Sequence, residues 1–515
     1  GYASSVGTES YITSNYLTYA QRVGEQHDLE AVVGMEFNDT RRRFQSVTGI
    51  EFPTDDFQTI GSAAEITAGN GTLTQYNFLS YFARATYAFK DRYLLKASIR
   101  RDGSSRFGAN VRYGTFAAVS AGWIVSEENF LKDSETLNFL KLRGSWGQSG
   151  NAEIGDFASL GLYGGISYNQ RPGISPTQPA NPNLTWERVE QFDIGIDFGL
   201  FNNRLSGELD YYNKRSKDLL FSVPLPGTSG FSSITRNIGL LENKGFEVVL
   251  NSDNLRSENF TWKTSLNFSQ NRNRVRELPD GADVVRSRNI VREGEVLNAF
   301  YLIEYAGVDP DNGDALYYVN SVNPDGTLNK ETTNNPNAAN RIVTGSPMPE
   351  WYGGLTNTMA YKGFDFSFTF QGEWGASIYN AAGPYQSANG DYYDNQSRDQ
   401  LRRWRQPGDI TDVPQARFGL GNGTANSTRY LSKADFIRLR TINLGYTLPQ
   451  RISQKMSISK FRVYVAAFNL LTFTDYEGYD PEARSDANAS EAGYGIDFYS
   501  APAAKTFSLG INVNF

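Results

Sequence analysis

Phe364-Asp365-Phe366-Ser367-Phe368-Thr369-Phe370-Gln371 alternates aromatic and polar residues without a break. A strand sends successive side chains to opposite faces, so this segment has one apolar and one polar face. The same alternation recurs along the chain. Phe260, Trp262, Thr264, Leu266 and Phe268 alternate with Thr261, Lys263, Ser265, Asn267 and Ser269. Phe192, Ile194, Ile196 and Phe198 alternate with Asp193, Gly195, Asp197 and Gly199, and Phe507, Leu509, Ile511, Val513 and Phe515 with Ser508, Gly510, Asn512 and Asn514. Many segments run well beyond the usual strand of about five or six residues and approach the roughly 9–11 of a tilted membrane strand. A soluble sandwich also alternates, but it does not need strands of that length.

The connections carry a second pattern. Reading about fifteen spanning strands, short turns fall at 22–27, 90–92, 201–204, 253–257 and 361–363, with 449–460 a longer member of the set. Long connections fall at 40–75, 149–186, 216–243, 271–349, 375–433 and 472–505. Outer-membrane barrels alternate short periplasmic turns with long extracellular loops. The expected fold is therefore all-β, a transmembrane antiparallel β-barrel occupying residues 1–515. On this parity the last strand ends in the periplasm and Gly1 lies at the outer end of the first. Such barrels have an even number of strands, so an odd count predicts preceding sequence that completes the wall, with strands from another chain as the lesser alternative.

The bulk properties agree. The 515 residues carry 49 Lys+Arg against 56 Asp+Glu, a net charge of −7 that gives no basic surface for nucleic acid. There is no cysteine, hence no disulfide framework, thiolate nucleophile or cysteine metal ligand. Tyrosine (30), phenylalanine (33) and glycine (49) are abundant. Mean hydropathy is −0.48, as a barrel permits, because only alternate strand residues face lipid. The longest apolar stretches, 116–125 and 463–473, fall short of the roughly 20 residues a membrane helix needs.

Several motifs then point to one family. They include 91–108 (DRYLLKASIRRDGSSRFG), 140–151 (LKLRGSWGQSGN), 181–187 (NPNLTWE), 242–247 (ENKGFE), 404–409 (WRQPGD), 430–440 (YLSKADFIRLR), Phe468-Asn469-Leu470 and Tyr479-Asp480-Pro481-Glu482. In this order, from Asp91 to Phe515, they resemble the C-terminal barrel portion of SusC/RagA-type TonB-linked outer-membrane transporters. The resemblance implies a barrel of about 22 strands with an N-terminal plug and a TonB-contacting segment, neither of which this sequence contains. It also implies a bacterial outer-membrane location in Bacteroidota, a SusD-like surface lipoprotein as lid, and the import of oligosaccharides or peptides. It leaves open a dimer of transporter units.

Candidate chemistry is sparse. Asp309-Pro310-Asp311-Asn312-Gly313-Asp314 looks like a calcium loop, but Gly313 occupies a ligand position and Val319 stands where a twelfth-position Glu belongs. A turn is the better reading, as it is for Asn323-Pro324-Asp325-Gly326. His27 is the sole histidine and reads as a strand-end residue, since one histidine makes neither a metal cluster nor a serine-type triad. No catalytic, cofactor-binding or metal residues are expected. Arg41, Arg42 and Arg43 form a basic run suited either to lipid phosphates or, more simply, to an ion-paired rim. Tyr163, Tyr168, Tyr385, Tyr392, Tyr393, Tyr476, Tyr479 and Tyr494 lie in the long loops. They are the candidates for contact with substrate or partner, because aromatic faces stack on sugars and anchor interfaces. Terminal Phe515 closes an alternating strand and looks like a signal for the barrel-assembly machinery. Asp193, Asp197, Lys263, Asn267, Asp365 and Gln371 are expected on the polar, lumen-lining face.

The leading functional reading is TonB-dependent import of nutrient oligomers, with outer-membrane lipid around the wall. A passive porin-like channel without a plug is the alternative. A membrane-anchored enzyme is a third reading, for which no nucleophile–base pair is visible.

Overall fold

The computed structural model describes every residue except Gln170, 392–394, Met456 and 484–493, and it leaves the side chains of Pro224 and Asp280 undescribed. Fifteen long strands hydrogen-bond in chain order as one antiparallel sheet. They are β1 (Tyr2–Val23), β2 (His27–Ile50), β3 (Glu65–Phe89), β4 (Tyr93–Ser104), β5 (Tyr113–Ile124), β6 (Leu137–Asn151), β7 (Glu187–Leu200) and β8 (Leu205–Lys217). They continue with β9 (Leu240–Arg256), β10 (Phe260–Glu277), β11 (Trp351–Tyr361), β12 (Phe364–Trp374), β13 (Phe436–Thr447), β14 (Lys460–Thr474) and β15 (Thr506–Asn514). Tight turns alternate with long excursions, as the sequence predicts.

Two predicted boundaries need correcting. The short turn placed at 253–257 lies at 257–259, since β9 runs on to Arg256; the second is larger. The long connection placed at 40–75 is mostly strand: β2 and β3 stay paired from Arg41–Gln75 up to Ile50–Glu65, leaving 51–64 as the loop. The alternation fades there, but Phe44, Val47 and Thr48 still favour extended backbone, and β1 pairs with β2 up to Thr48 on the other side.

The chain divides into two compact units. Unit 1 comprises Gly1–Lys132, Lys141–Gly195 and Tyr212–Leu241. Its apolar strand positions point outward: Leu17, Val33, Met35, Tyr81, Leu95 and Ile99 are all exposed. The opposite face is polar and internally paired. Arg84 meets Glu30 at 2.7 Å, Arg100 meets Asp102 at 2.6 Å and Ser80 at 2.8 Å, and Arg143 meets the predicted Asp193 at 3.3 Å. Above the strands, Phe107, Phe116, Leu184 and Trp186 bury one another. Two of the sequence motifs meet in this cluster. The Trp186 indole donates to the Arg112 carbonyl at 2.9 Å. Gly108 sits where a Cβ would lie 1.8 Å from the Pro182 carbonyl oxygen, so only glycine fits. Arg106 reaches Asp156 at 2.8 Å and covers the Tyr76 ring at 3.9 Å.

Unit 2 comprises Asp133–Leu140, Ile196–Tyr211 and Glu242–Phe515. Its polar face holds the other predicted residues. Lys263 pairs with Asp253 at 3.0 Å, Asp365 with Arg462 at 2.5 Å, and Gln371 accepts from Arg440 at 2.7 Å. The two longest connections carry small sheets, one of which also takes in a strand from the connection after β14. One orders Val284–Val285, Asn289–Val291, Ala299–Ile303 and Arg341–Gly345. A second joins Tyr305–Val308, Ala315–Tyr318 and Thr332–Thr333, and a third joins Leu431–Lys433, Ser377–Asn380 and Ile496–Asp497.

A bulge interrupts β13 at Arg440. Thr369 pairs with Thr441 and Phe370 with Leu439, so Arg440 has no opposite number. The extra residue reverses the phase of the strand: Ile437 before it is 41% exposed and Leu444 after it is 52% exposed. Across the same point on β14, Asn469 takes φ +53°.

Candidate functional site

The strongest candidate site lies in the loops of unit 2 and begins with a frame of buried charge. Arg438 is 3% exposed and pairs with Asp480 at 2.5 Å and with Glu482. Glu482 also takes Arg440, the bulge residue, and the Ala503 amide donates to Asp480 at 3.0 Å. Burial by itself raises the Asp480 pKa, but the Arg438 hydrogen bond and the amides of Ala503 and Glu482 outweigh it and hold it below the usual carboxylate range. The motif 430–440 and the motif 479–482 are thus the two halves of one clamp.

The clamp fixes a strip of chain that carries aromatic rings. Tyr379 pairs with Ile496 and Asn380 with Asp497, in parallel. Asn380 accepts from the amides of Ala382 and Gly383 at 3.1 and 3.0 Å, an Asx turn that leads into the single helical turn Gly383–Gln386. The Tyr476 hydroxyl donates to Asp497 at 2.7 Å, and burial, followed by that bond, pushes its pKa up. On this support, Tyr385 lies edge-on to Phe498 at 6.0 Å, and Phe498 to Tyr499 at 4.8 Å. All three rings are exposed.

Beneath them Tyr305, Tyr317, Tyr379 and Tyr430 pack with Arg429 and Arg288. Arg429 lies 5.2 Å from the Tyr430 ring and Arg288 4.9 Å from Tyr379. Burial raises the phenol pKa values of Tyr305 and Tyr430 and pushes Tyr317 up to about 12. These hydroxyls stay neutral at ordinary pH. The layer is a platform rather than acid–base machinery.

The predicted tyrosines divide into groups. Tyr385 joins the exposed cluster. Tyr476 is buried and supports it through Asp497, while Tyr479 and Tyr494 flank the same segment and are exposed. Tyr163 and Tyr168 lie on a hairpin of unit 1 formed by Leu162–Tyr168 and Arg171–Gln178, with Tyr168 84% exposed. Tyr392 and Tyr393 lie outside the described residues. Phe498 and Tyr499 are missing from the sequence reading. Their signal is an adjacent aromatic pair in a polar loop: attention to tyrosines alone passes over Phe498, whereas Tyr499 was open to the same reading as the other loop tyrosines.

The remaining candidates resolve simply. In the acidic loop the Asp311 amide donates to Asp309 at 2.9 Å, Gly313 has φ +78°, and Asp314 pairs with Arg417 at 2.5 Å, so the segment is a turn. Among the described residues no group of three or more His, Asp or Glu side chains could hold a metal ion. His27 bonds Tyr87 at 2.8 Å at the end of β2. Arg41 pairs with Asp39 at 3.5 Å, as an ion-paired rim requires. Phe515, after β15, is exposed.

Residues 1–292 match the family described as TonB dependent receptor-like, beta-barrel, and the chain belongs to it. It is an outer-membrane β-barrel, and no helix among the described residues is long and apolar enough to cross a membrane. Among relatives it is 35% identical to TonB-dependent receptor P3 of Formosa agariphila, over 99% of this chain and 52% of that protein. It is 32% identical to TonB-dependent receptor SusC of Bacteroides thetaiotaomicron, over 97% and 49%. The solved RagAB peptide transporter superposes on all of this chain and 56% of its own, with a TM-score of 0.89 and 30% identity. The chain thus spans about half the length of the curated relatives it matches.

Proposed function

We propose that this chain is the barrel portion of a TonB-energised importer of nutrient oligomers, peptides or oligosaccharides, capped by a SusD-like surface lipoprotein. The observation that carries this reading is its likeness, over its whole length, to the RagAB peptide transporter. The Tyr385–Phe498–Tyr499 cluster receives the oligomer or its lid by stacking, which needs exposed rings held on a rigid base. The polar face of the strands, neutralised pair by pair, lines the route. In this reading no bond of the cargo is broken, so the site binds and releases.

The test is uptake of labelled peptides and labelled oligosaccharides by cells carrying the full-length protein, with and without a protonophore. Uptake that stops with the protonophore, and a lipoprotein that co-purifies, agree with the reading. Uptake that continues unchanged, together with open conductance in planar bilayers, replaces it with the passive channel.

A further inference from the structure

A groove of about 990 Å³ runs across the outward face of β1–β5. Pairing arranges its walls in two rows. Leu17, Val33, Ala83 and Ile99 lie side by side in one, and Asn15, Met35, Tyr81, Arg101 and Thr115 in the next. The groove exists because Ala83 is short between Val33 and Ile99. Gly34 beside it has no room for a Cβ, which would fall 2.5 Å from the Phe82 ring.

Arg101 ends the apolar run of β4 on this face. Its neighbour Arg100, on the polar face, has Asp102 and Ser80. Arg101 has no carboxylate within 4.0 Å among the described residues, and its guanidinium lies 5.3 Å over the Tyr113 ring. Arg41, on the same face of β2, is paired with Asp39. A guanidinium at a lipid-facing position without a counter-ion is costly. A phosphate relieves that cost well, because its oxygens match the planar fork of donors. The adjoining groove is mostly apolar, along Leu17, Val33, Ala83 and Ile99, and open on its outer side, which suits a flexible acyl chain.

We propose that this groove holds one phosphorylated membrane lipid, with an acyl chain along Leu17, Val33, Ala83 and Ile99 and its headgroup phosphate on Arg101. The lipid is a bound component of the wall rather than cargo, so the inference is independent of what the protein imports.

The experiment is native mass spectrometry of the full-length protein extracted from outer membranes and exchanged into mild detergent. The wild type is expected to keep one phosphorylated lipid. Arg101→Gln should lower its retention about tenfold, the order of one lost charge-assisted hydrogen bond. Arg101→Lys should keep most of it, and Ala83→Leu should expel it by filling the channel. Heat-modifiable migration on gels reports assembly of each variant. Equal retention by wild type and Arg101→Gln overturns the proposal, as does a wild type that carries no lipid or a second copy instead. Should Arg101→Gln not assemble, Ala83→Leu decides, and unchanged lipid in that variant overturns the groove.

Discussion

Arg438 shows how much one side chain organises here. It is buried between two carboxylates, and removing it leaves Asp480 buried with only backbone amides to offset its charge, while Glu482 keeps Arg440. Arg438→Ala should therefore cost about 3–5 kcal/mol locally. Limited proteolysis would detect it as cleavage around 475–483 with the long strands still protected. The pH response has two arms. Asp480 has a depressed pKa in the fold, so its contribution is complete above the ordinary carboxylate range and is lost as pH falls through its lowered value. Tyr317 has a raised pKa of about 12. Its contribution is complete below the ordinary tyrosine value of about 10 and is lost as pH rises through about 12. Protection of the loops should thus fail at both extremes, and after the exposed tyrosines have ionised the buried layer should add a separate, late phase of tyrosinate absorbance to the alkaline arm. A titration with no late phase would mean that the layer is not dry. A third prediction concerns the exposed rings: Phe498→Ala with Tyr385→Ala should lower uptake while leaving barrel assembly unchanged.

Among the elements, the long strands were the legible part. Phe364–Trp374 declares its faces residue by residue, and its pairing with β11 and β13 follows that pattern. The bulge at Arg440 was not legible. In sequence, Phe436-Ile437-Arg438-Leu439-Arg440 reads as plain alternation, and only the partner strands reveal the extra residue. Deleting Arg440 should join Leu439 to Thr441 as a regular ladder against β12, because Phe370–Leu439 and Thr369–Thr441 are already successive pairs, so Leu444 keeps its outward face. What is lost is the contact of Arg440 with Glu482 and Gln371. The expected outcome is barrel that still assembles on heat-modifiability gels, with the chain around 475–483 cleaved more readily in limited proteolysis. The small sheets within 278–350 and 375–435 were also invisible beforehand. Their strands are short and lack alternation, because they bury both faces among loops: Phe300 and Leu302 are fully enclosed, and Ala299 and Ile303 on the opposite face are buried as well. The acidic turn at Asp309 could be read from its residue types, whereas the Arg438 clamp joins positions more than forty residues apart and leaves no local trace.

For the molecule as a whole, the family and the outer-membrane setting follow from the matched residues and from the likeness to solved transporters. Phe515 offers a test at this scale. If it is the assembly signal, its removal should lower the amount of barrel in the outer membrane with synthesis unchanged, and unaltered insertion would leave it as one more lipid-facing ring. The apolar residues of this chain are many, yet they are dispersed. No helix among the described residues is long and apolar enough to cross a membrane, and mean hydropathy stays at −0.48. That dispersal matters before folding begins. A protein of the outer membrane has first to be exported through the inner one, and a continuous run of about 20 apolar residues would be retained there as a helix. Alternation hides the greasy surface from the export channel, one residue at a time, and discloses it only when neighbouring strands have paired.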